Sequence, residues 1–119
     1  MKHIFYFFLL FNLFTTYSQV TDDFSDGDFN SNPTWSGNTS EFIVNNNQEL
    51  QLNSSGSSTS YLSLNNNLAN IDDKEWRIWV KQSFSPSGSN NGRIFLCSDN
   101  SDLMNASNGY FIQLGEAGS

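Results

Sequence analysis

The chain has 119 residues and carries twelve acidic side chains against five basic ones, with a formal net charge of −7 at pH 7. A surface with so few cations would repel a phosphate backbone, which disfavours nucleic-acid binding and also adhesion to an anionic membrane. Cys97 is the single cysteine, so an intrachain disulfide framework of the kind that stabilises small secreted domains is excluded.

The first residues have the pattern of a secretory signal peptide. A positive start at Lys2 is followed by an apolar run from Ile4 to Phe14, and the small residues Thr16 and Ser18 precede the expected cut. This run is too short for a bilayer span, which needs about 20 apolar residues. We predict that residues 1–18 are removed, that the remainder is secreted or displayed at the cell surface, and that it does not insert into the membrane.

Loss of the leader restricts the chemistry of the mature chain. The only histidine, His3, leaves with the leader, together with Lys2, and the remaining net charge is about −8. The mature chain therefore lacks the usual base for a serine nucleophile and the imidazole ligand of most zinc sites. The paired acids at 72–73 and at Asp99 and Asp102 fall in predicted loops. A glycosidase with a β-sandwich fold would instead be expected to carry its two catalytic carboxylates at alternate positions along one strand. We predict no catalytic residue in this segment.

Residues 19–119 consist of short period-two runs separated by Asn, Ser and Gly clusters, which is typical of an all-β sandwich. The Asn45–Asn47 run between two such segments predicts a hairpin turn, because Asn tolerates left-handed backbone angles. The predicted strands, in chain order, are 34–36, 41–44, 49–52, 60–64, 75–84, 93–98 and 109–114.

The segment 75–84 has the strongest alternation in the sequence. One predicted face carries Trp76, Ile78, Val80 and Phe84, and the other carries Arg77, Trp79, Lys81 and Ser83. The turn-forming sequence after residue 114 does not resemble a natural end, so we expect the chain to be the amino-terminal part of a truncated sandwich domain with an open edge.

Two groups of residues resemble a known family. They are Asp22–Phe29 with Pro33–Gly37 and Phe42–Val44, and Trp76–Val80 with Phe84–Ser87, Asn90–Asn91, Arg93–Leu96 and Asn108–Tyr110. Together they are similar to the amino-terminal concanavalin-A-like (laminin-G-like) jelly-roll sandwich of large secreted bacterial surface proteins. The resemblance implies downstream domains of the same polypeptide, such as lamin-tail or immunoglobulin-like domains with a type IX secretion signal.

Two candidate sites emerge from these residues. The carboxylates of Asp22, Asp23, Asp26 and Asp28 could supply the hard oxygens of a structural calcium site, or they could simply form solvated turns around Asp26-Gly27. Trp79, Trp35 and Tyr61 are candidates for glycan binding, because an exposed aromatic ring offers an apolar platform to a sugar ring. Alternatively, Trp79 could pack under a loop or a neighbouring domain, as large aromatic side chains often do.

The functional interpretation has three alternatives. The chain could be a non-catalytic recognition module that binds carbohydrate, a spacer of a multidomain protein, or the front part of a glycan-degrading enzyme whose catalytic residues lie beyond Ser119. Sandwiches of this type perform all three roles, so fold alone does not separate them.

Overall fold

A computed structural model describes residues 20–66 and 70–116. The predicted signal peptide at 1–18 lies outside these residues. Within them the chain forms six strands and one short 3₁₀ helix at Thr39–Glu41. The strands are β1 (Trp35–Gly37), β2 (Phe42–Val44), β3 (Leu50–Leu52), β4 (Leu62–Leu64), β5 (Gly92–Ser98) and β6 (Gly109–Leu114).

The strands form three antiparallel pairs, which confirms the prediction of an all-β, antiparallel structure. β2 pairs with β3, β1 pairs with β4 around that hairpin, and β5 pairs with β6. Each sheet has only two strands, so the described residues do not close into the expected jelly-roll sandwich. No helix in this part of the chain has the length and apolar character needed to cross a bilayer.

The β2–β3 hairpin follows directly from its asparagines. The Asn45 side-chain oxygen Oδ1 accepts hydrogen bonds from the backbone N–H groups of Asn47 at 2.8 Å and Glu49 at 3.1 Å. Gln48 takes a positive φ of 61°, and its N–H donates to the Asn45 carbonyl oxygen. The predicted hairpin turn is therefore confirmed, and the side chain of its first asparagine organises it.

The β1–β4 pair depends on a close approach at Gly37. This residue has φ +126°, lies opposite Leu62 and packs against the ring of Tyr61. A Cβ at position 37 would lie 3.0 Å from ring atoms of Tyr61 and would collide with the Tyr61 carbonyl oxygen. Glycine is required here both by the backbone angle and by the space.

The β5–β6 hairpin is the longest element. Phe95 lies opposite Phe111 with ring centroids 5.1 Å apart, and the Arg93 guanidinium lies 4.9 Å from the centre of the Phe111 ring. The register shifts between Phe95 and Cys97, so Leu96 is the extra residue of a β-bulge. The free thiol of Cys97 is half-buried.

Few side chains in this part of the chain are fully withdrawn from water. Phe29, at 7% exposure, is the buried apolar residue of the described chain, and Ser63 is the buried polar one. Phe24 and Trp35 extend the apolar cluster, with ring centroids 6.2 Å apart. The packed region therefore lies between the amino-terminal segment and the β1–β4 pair.

The strand predicted at 75–84 is wrong as a paired strand. The backbone from Lys74 to Gln82 contains no turn, bend or helix, but it forms no ladder with any described segment. Alternating side chains describe which faces a strand would present, whereas a strand also needs a neighbour to accept its backbone hydrogen bonds. All residues from 70 to 85 are exposed.

Candidate functional site

The most exposed aromatic surface lies on residues 74–84, which we call the exposed segment. Trp79 is 71% exposed, more than any other large apolar residue among those described. The remaining apolar members of the segment are Trp76, Ile78, Val80 and Phe84, all of which are also exposed. A large aromatic ring held in water is available to a ligand that can cover it.

An ion pair shows how side chains are arranged along this segment. Arg77 Nε donates to Glu75 Oε1 at 2.6 Å, which places side chains two residues apart on the same face. This is the alternation of an extended chain. An extended backbone would place Glu75, Arg77, Trp79 and Lys81 on one face, with the indole between the two cations.

Trp35 has a structural role, because it connects the amino-terminal segment to β1. Its indole Nε1 donates to Asp22 Oδ2 at 2.7 Å, and its ring lies against Phe24 at an interplanar angle of 36°. The bond joins the amino-terminal segment to β1 across thirteen residues. The polar edge and one side of this tryptophan are therefore already occupied by the protein.

Tyr61 also packs against the fold. Its backbone N–H donates to Asn38 Oδ1 at 3.1 Å, its carbonyl oxygen accepts from the Asn38 N–H at 2.9 Å, and its ring covers Gly37. Burial raises the pKa of the Tyr61 phenol, and the nearby Asp102 carboxylate raises it further. Among the described residues, no ring contact or hydrogen bond joins Trp79 to Trp35 or Tyr61. The three predicted glycan-binding residues therefore do not form one cluster.

The four aspartates of the predicted calcium site each accept a backbone hydrogen bond two residues further along the chain. The acceptor–donor pairs are Asp22 with Phe24, Asp23 with Ser25, Asp26 with Asp28, and Asp28 with Asn30. Gly27, at φ +85°, closes a turn by donating to the Phe24 carbonyl oxygen at 3.1 Å. These are the local bonds expected of Asp-rich turns.

Hydrogen bonds lower the pKa values of two aspartates in this amino-terminal segment. The Ser25 side chain and backbone lower the pKa of Asp23, and the backbone N–H groups of Asn30 and Ser31 lower the pKa of Asp28. An open depression of about 320 Å³ lies beside them, lined by Thr21, Asp22, Asp23, Ser25, Asp26 and Asn32. Within residues 20–66 and 70–116, no three acidic, His or Cys side chains converge as a metal site. Calcium binding therefore stays a prediction.

The acids in the β5–β6 connection are turn-forming residues. Asp99 accepts from Ser107 N–H at 3.0 Å and from Asn108 Nδ2 at 2.9 Å, and Asp102 accepts from Asn105 Nδ2 at 2.8 Å. Hydrogen bonds from the Asn108 and Asn105 side chains are the leading reasons that the pKa values of Asp99 and Asp102 are lowered. Their role is to shape the loop.

Positive charge is concentrated in the exposed segment, a pattern that we did not predict from the sequence. Three of the four Lys and Arg residues after residue 18 are Lys74, Arg77 and Lys81, and the fourth is Arg93. No acidic residue occurs between Glu75 and Asp99. The net charge hides this pattern, although it can be read directly from the order of the residues.

Comparison with known proteins identifies no matching family, no similar curated protein and no similar solved structure.

Proposed function

We propose that this chain is a non-catalytic recognition module of a secreted or cell-surface protein and that it binds carbohydrate through Trp79. The single observation that carries the proposal is the 71% exposure of this indole on an unpaired, extended stretch of backbone. A pyranose ring can cover such a surface with its apolar C–H face while its hydroxyls bond to neighbouring polar side chains.

The other two aromatic candidates, Trp35 and Tyr61, have structural roles in the fold. Trp35 is bonded to Asp22 and Tyr61 covers Gly37, so replacing either would disturb packing before it disturbed binding. This difference makes Trp79 the informative position. The proposal also retains the jelly-roll sandwich as the complete architecture, and a longer secreted polypeptide with further domains as its context.

A glycan array screened with the full secreted chain tests this function. We expect specific binding that falls about tenfold in Trp79→Ala, because stacking and burial of one ring contribute on the order of 1–2 kcal/mol. Trp79→Phe should keep part of the affinity, since it retains a smaller aromatic surface.

Trp76→Ala is the matched control, since Trp76 is a second tryptophan of the same segment, three positions from Trp79, and is 37% exposed. Binding that is equally weakened in both variants would argue against a site on the Trp79 face. The absence of binding to any glycan by a folded chain would refute the proposal and leave the spacer role.

A further inference from the structure

We infer that the glycan bound at Trp79 is anionic, an acidic polysaccharide whose carboxylate or sulfate groups pair with Arg77 and Lys81. This inference rests on the proposed function and specifies its ligand class. It follows from the arrangement of charge around the indole.

The exposed segment places one cation on each side of Trp79. Arg77, Trp79 and Lys81 occupy alternate positions in a stretch of backbone without turns or bends, and the 2.6 Å bond shows that the side chains of Glu75 and Arg77 are in contact. Residues two apart in an extended chain are separated by about 6.5–7 Å. An extended backbone would therefore present Glu75, Arg77, Trp79 and Lys81 in a line, with the indole between the two cations.

Arg77 can exchange its present partner for a ligand. The Arg77 and Glu75 side chains are 86% and 69% exposed. Exposed ion pairs contribute little to stability because water screens them. A ligand that presents a carboxylate or sulfate can therefore take over the guanidinium, with which it makes a two-pronged hydrogen bond.

From residue 76 to residue 98 the chain carries three cations and no carboxylate, despite the acidic total. After Glu75 the next carboxylate is Asp99, so Arg77 and Lys81 have no acidic sequence neighbour on their carboxyl-terminal side. Charges further away than about 8–10 Å are largely screened at physiological salt. The negative net charge instead disfavours a long, densely charged polymer such as duplex DNA, most of which would lie over the acidic remainder.

A polysaccharide can bind both to the aromatic ring of Trp79 and to the cations on either side of it. Its rings have apolar faces that can stack on Trp79, and its acidic groups are spaced along the chain with neutral atoms between them. Single-stranded nucleic acid combines bases with a charged backbone and uses similar residues. It stacks successive bases on several aromatic rings, however, whereas Trp79 is the single aromatic residue among the alternate positions from 75 to 83.

The test compares two forms of one polymer. The full secreted chain is titrated with polygalacturonate and with its methyl ester, which has the same sugar backbone without the charge. We expect the charged form to bind at least about tenfold more tightly at low salt. A hydrogen bond to a charged group contributes enough free energy to change the affinity by about this factor. The difference should shrink as salt is added.

Substitutions of individual cations test whether Arg77 and Lys81 are responsible for the preference for the charged polymer. Arg77→Gln with Lys81→Gln should weaken binding to polygalacturonate by about a hundredfold while leaving the methyl ester unaffected. Arg93→Gln is the matched control for a single lost charge, to be compared with Arg77→Gln and with Lys81→Gln, because Arg93 lies on β5 over Phe111. The three altered side chains, at positions 77, 81 and 93, are exposed, and circular dichroism verifies that the variants fold.

The outcomes separate the two proposals. Equal binding of both polymers with loss in Trp79→Ala would overturn the anionic inference and support the glycan-binding function. No binding of either polymer, and none of any other glycan, would refute both. An equal loss in Arg93→Gln would overturn the location of the site, and tighter binding of single-stranded oligothymidylate than of polygalacturonate would overturn the ligand class.

Discussion

Replacement of Gly37 by alanine should destabilise the β1–β4 pair strongly. Gly37 has φ +126°, where a residue with a side chain pays on the order of 1–3 kcal/mol in backbone strain. The new Cβ would also displace the Tyr61 carbonyl oxygen, which accepts the Asn38 N–H at 2.9 Å, and loss of that bond costs about 1 kcal/mol. We expect the free energy of unfolding to fall by about 2–4 kcal/mol.

Two measurements check this value. Equilibrium unfolding in urea, followed by tryptophan fluorescence, gives the change for the whole chain. Hydrogen exchange of the Asn38 amide gives the local change, which should be at least about thirtyfold in rate for 2 kcal/mol.

Gly56→Ala is the control, because a Cβ at that position meets no atom within 4 Å and the backbone angle is ordinary. That substitution should change the unfolding free energy by less than about 0.5 kcal/mol. If the two variants unfold at the same urea concentration, the close approach of Gly37 to Tyr61 is not a stabilising feature and the reasoning fails.

Three further predictions concern the carboxylates and Tyr61. Asp22→Ala should lower the unfolding free energy by about 1–2 kcal/mol and shift the Trp35 indole proton in NMR spectra, because it removes the 2.7 Å hydrogen bond. The pKa of Tyr61, measured by ultraviolet titration, should lie above its ordinary value and fall in Asp102→Asn, since the neighbouring carboxylate opposes the phenolate. Stability should be full above about pH 4 and decline below it, as measured by thermal unfolding against pH, because several aspartates have lowered pKa values in the folded chain. These aspartates are Asp23, Asp28, Asp99 and Asp102.

Each of the three has a contradicting result. Asp26→Ala is the control for Asp22→Ala, since its carboxylate bonds only locally, to the Asp28 N–H at 3.2 Å, and an equal loss in both variants would remove the special role of the indole bond. A Tyr61 titration unchanged by Asp102→Asn would show that burial alone is responsible. The Tyr61 contribution has the opposite sign to that of the acids: it is present below about pH 10 and is lost as pH rises through the raised pKa. Stability that increases below pH 4 would contradict the acid prediction.

Local features of this fold could be predicted from the sequence. The Asn45–Asn47 turn, the strand segments β5 and β6 and the Asp-rich turns all depend on residues a few positions apart, whose chemistry is visible in sequence. The sequence could not reveal the bond between Asp22 and Trp35 or the contact between Tyr61 and Asp102. Both join distant segments, and no periodicity marks either partner.

The exposed segment shows a different limit. Its alternation predicted two faces, and the structure shows one contact along the segment, between Glu75 and Arg77. It did not determine whether a neighbouring strand is present, because pairing is a property of two segments. The sequence made Trp79 a candidate because it alternates with charged residues. Its exposure depends on which other segments pack near it, and the sequence pattern does not contain that information.

The nesting of β2–β3 inside β1–β4 has a consequence for the order in which the chain folds. A bond from the Asn53 N–H to the Glu41 carbonyl oxygen, at 2.7 Å, closes the base of the inner hairpin. Once that hairpin has formed, the free chain that must be closed to join Gly37 to Leu62 is roughly half as long, which lowers the entropic cost of closure by ~0.6 kcal/mol. The inner pair should therefore form first, and the outer pair should then close around it.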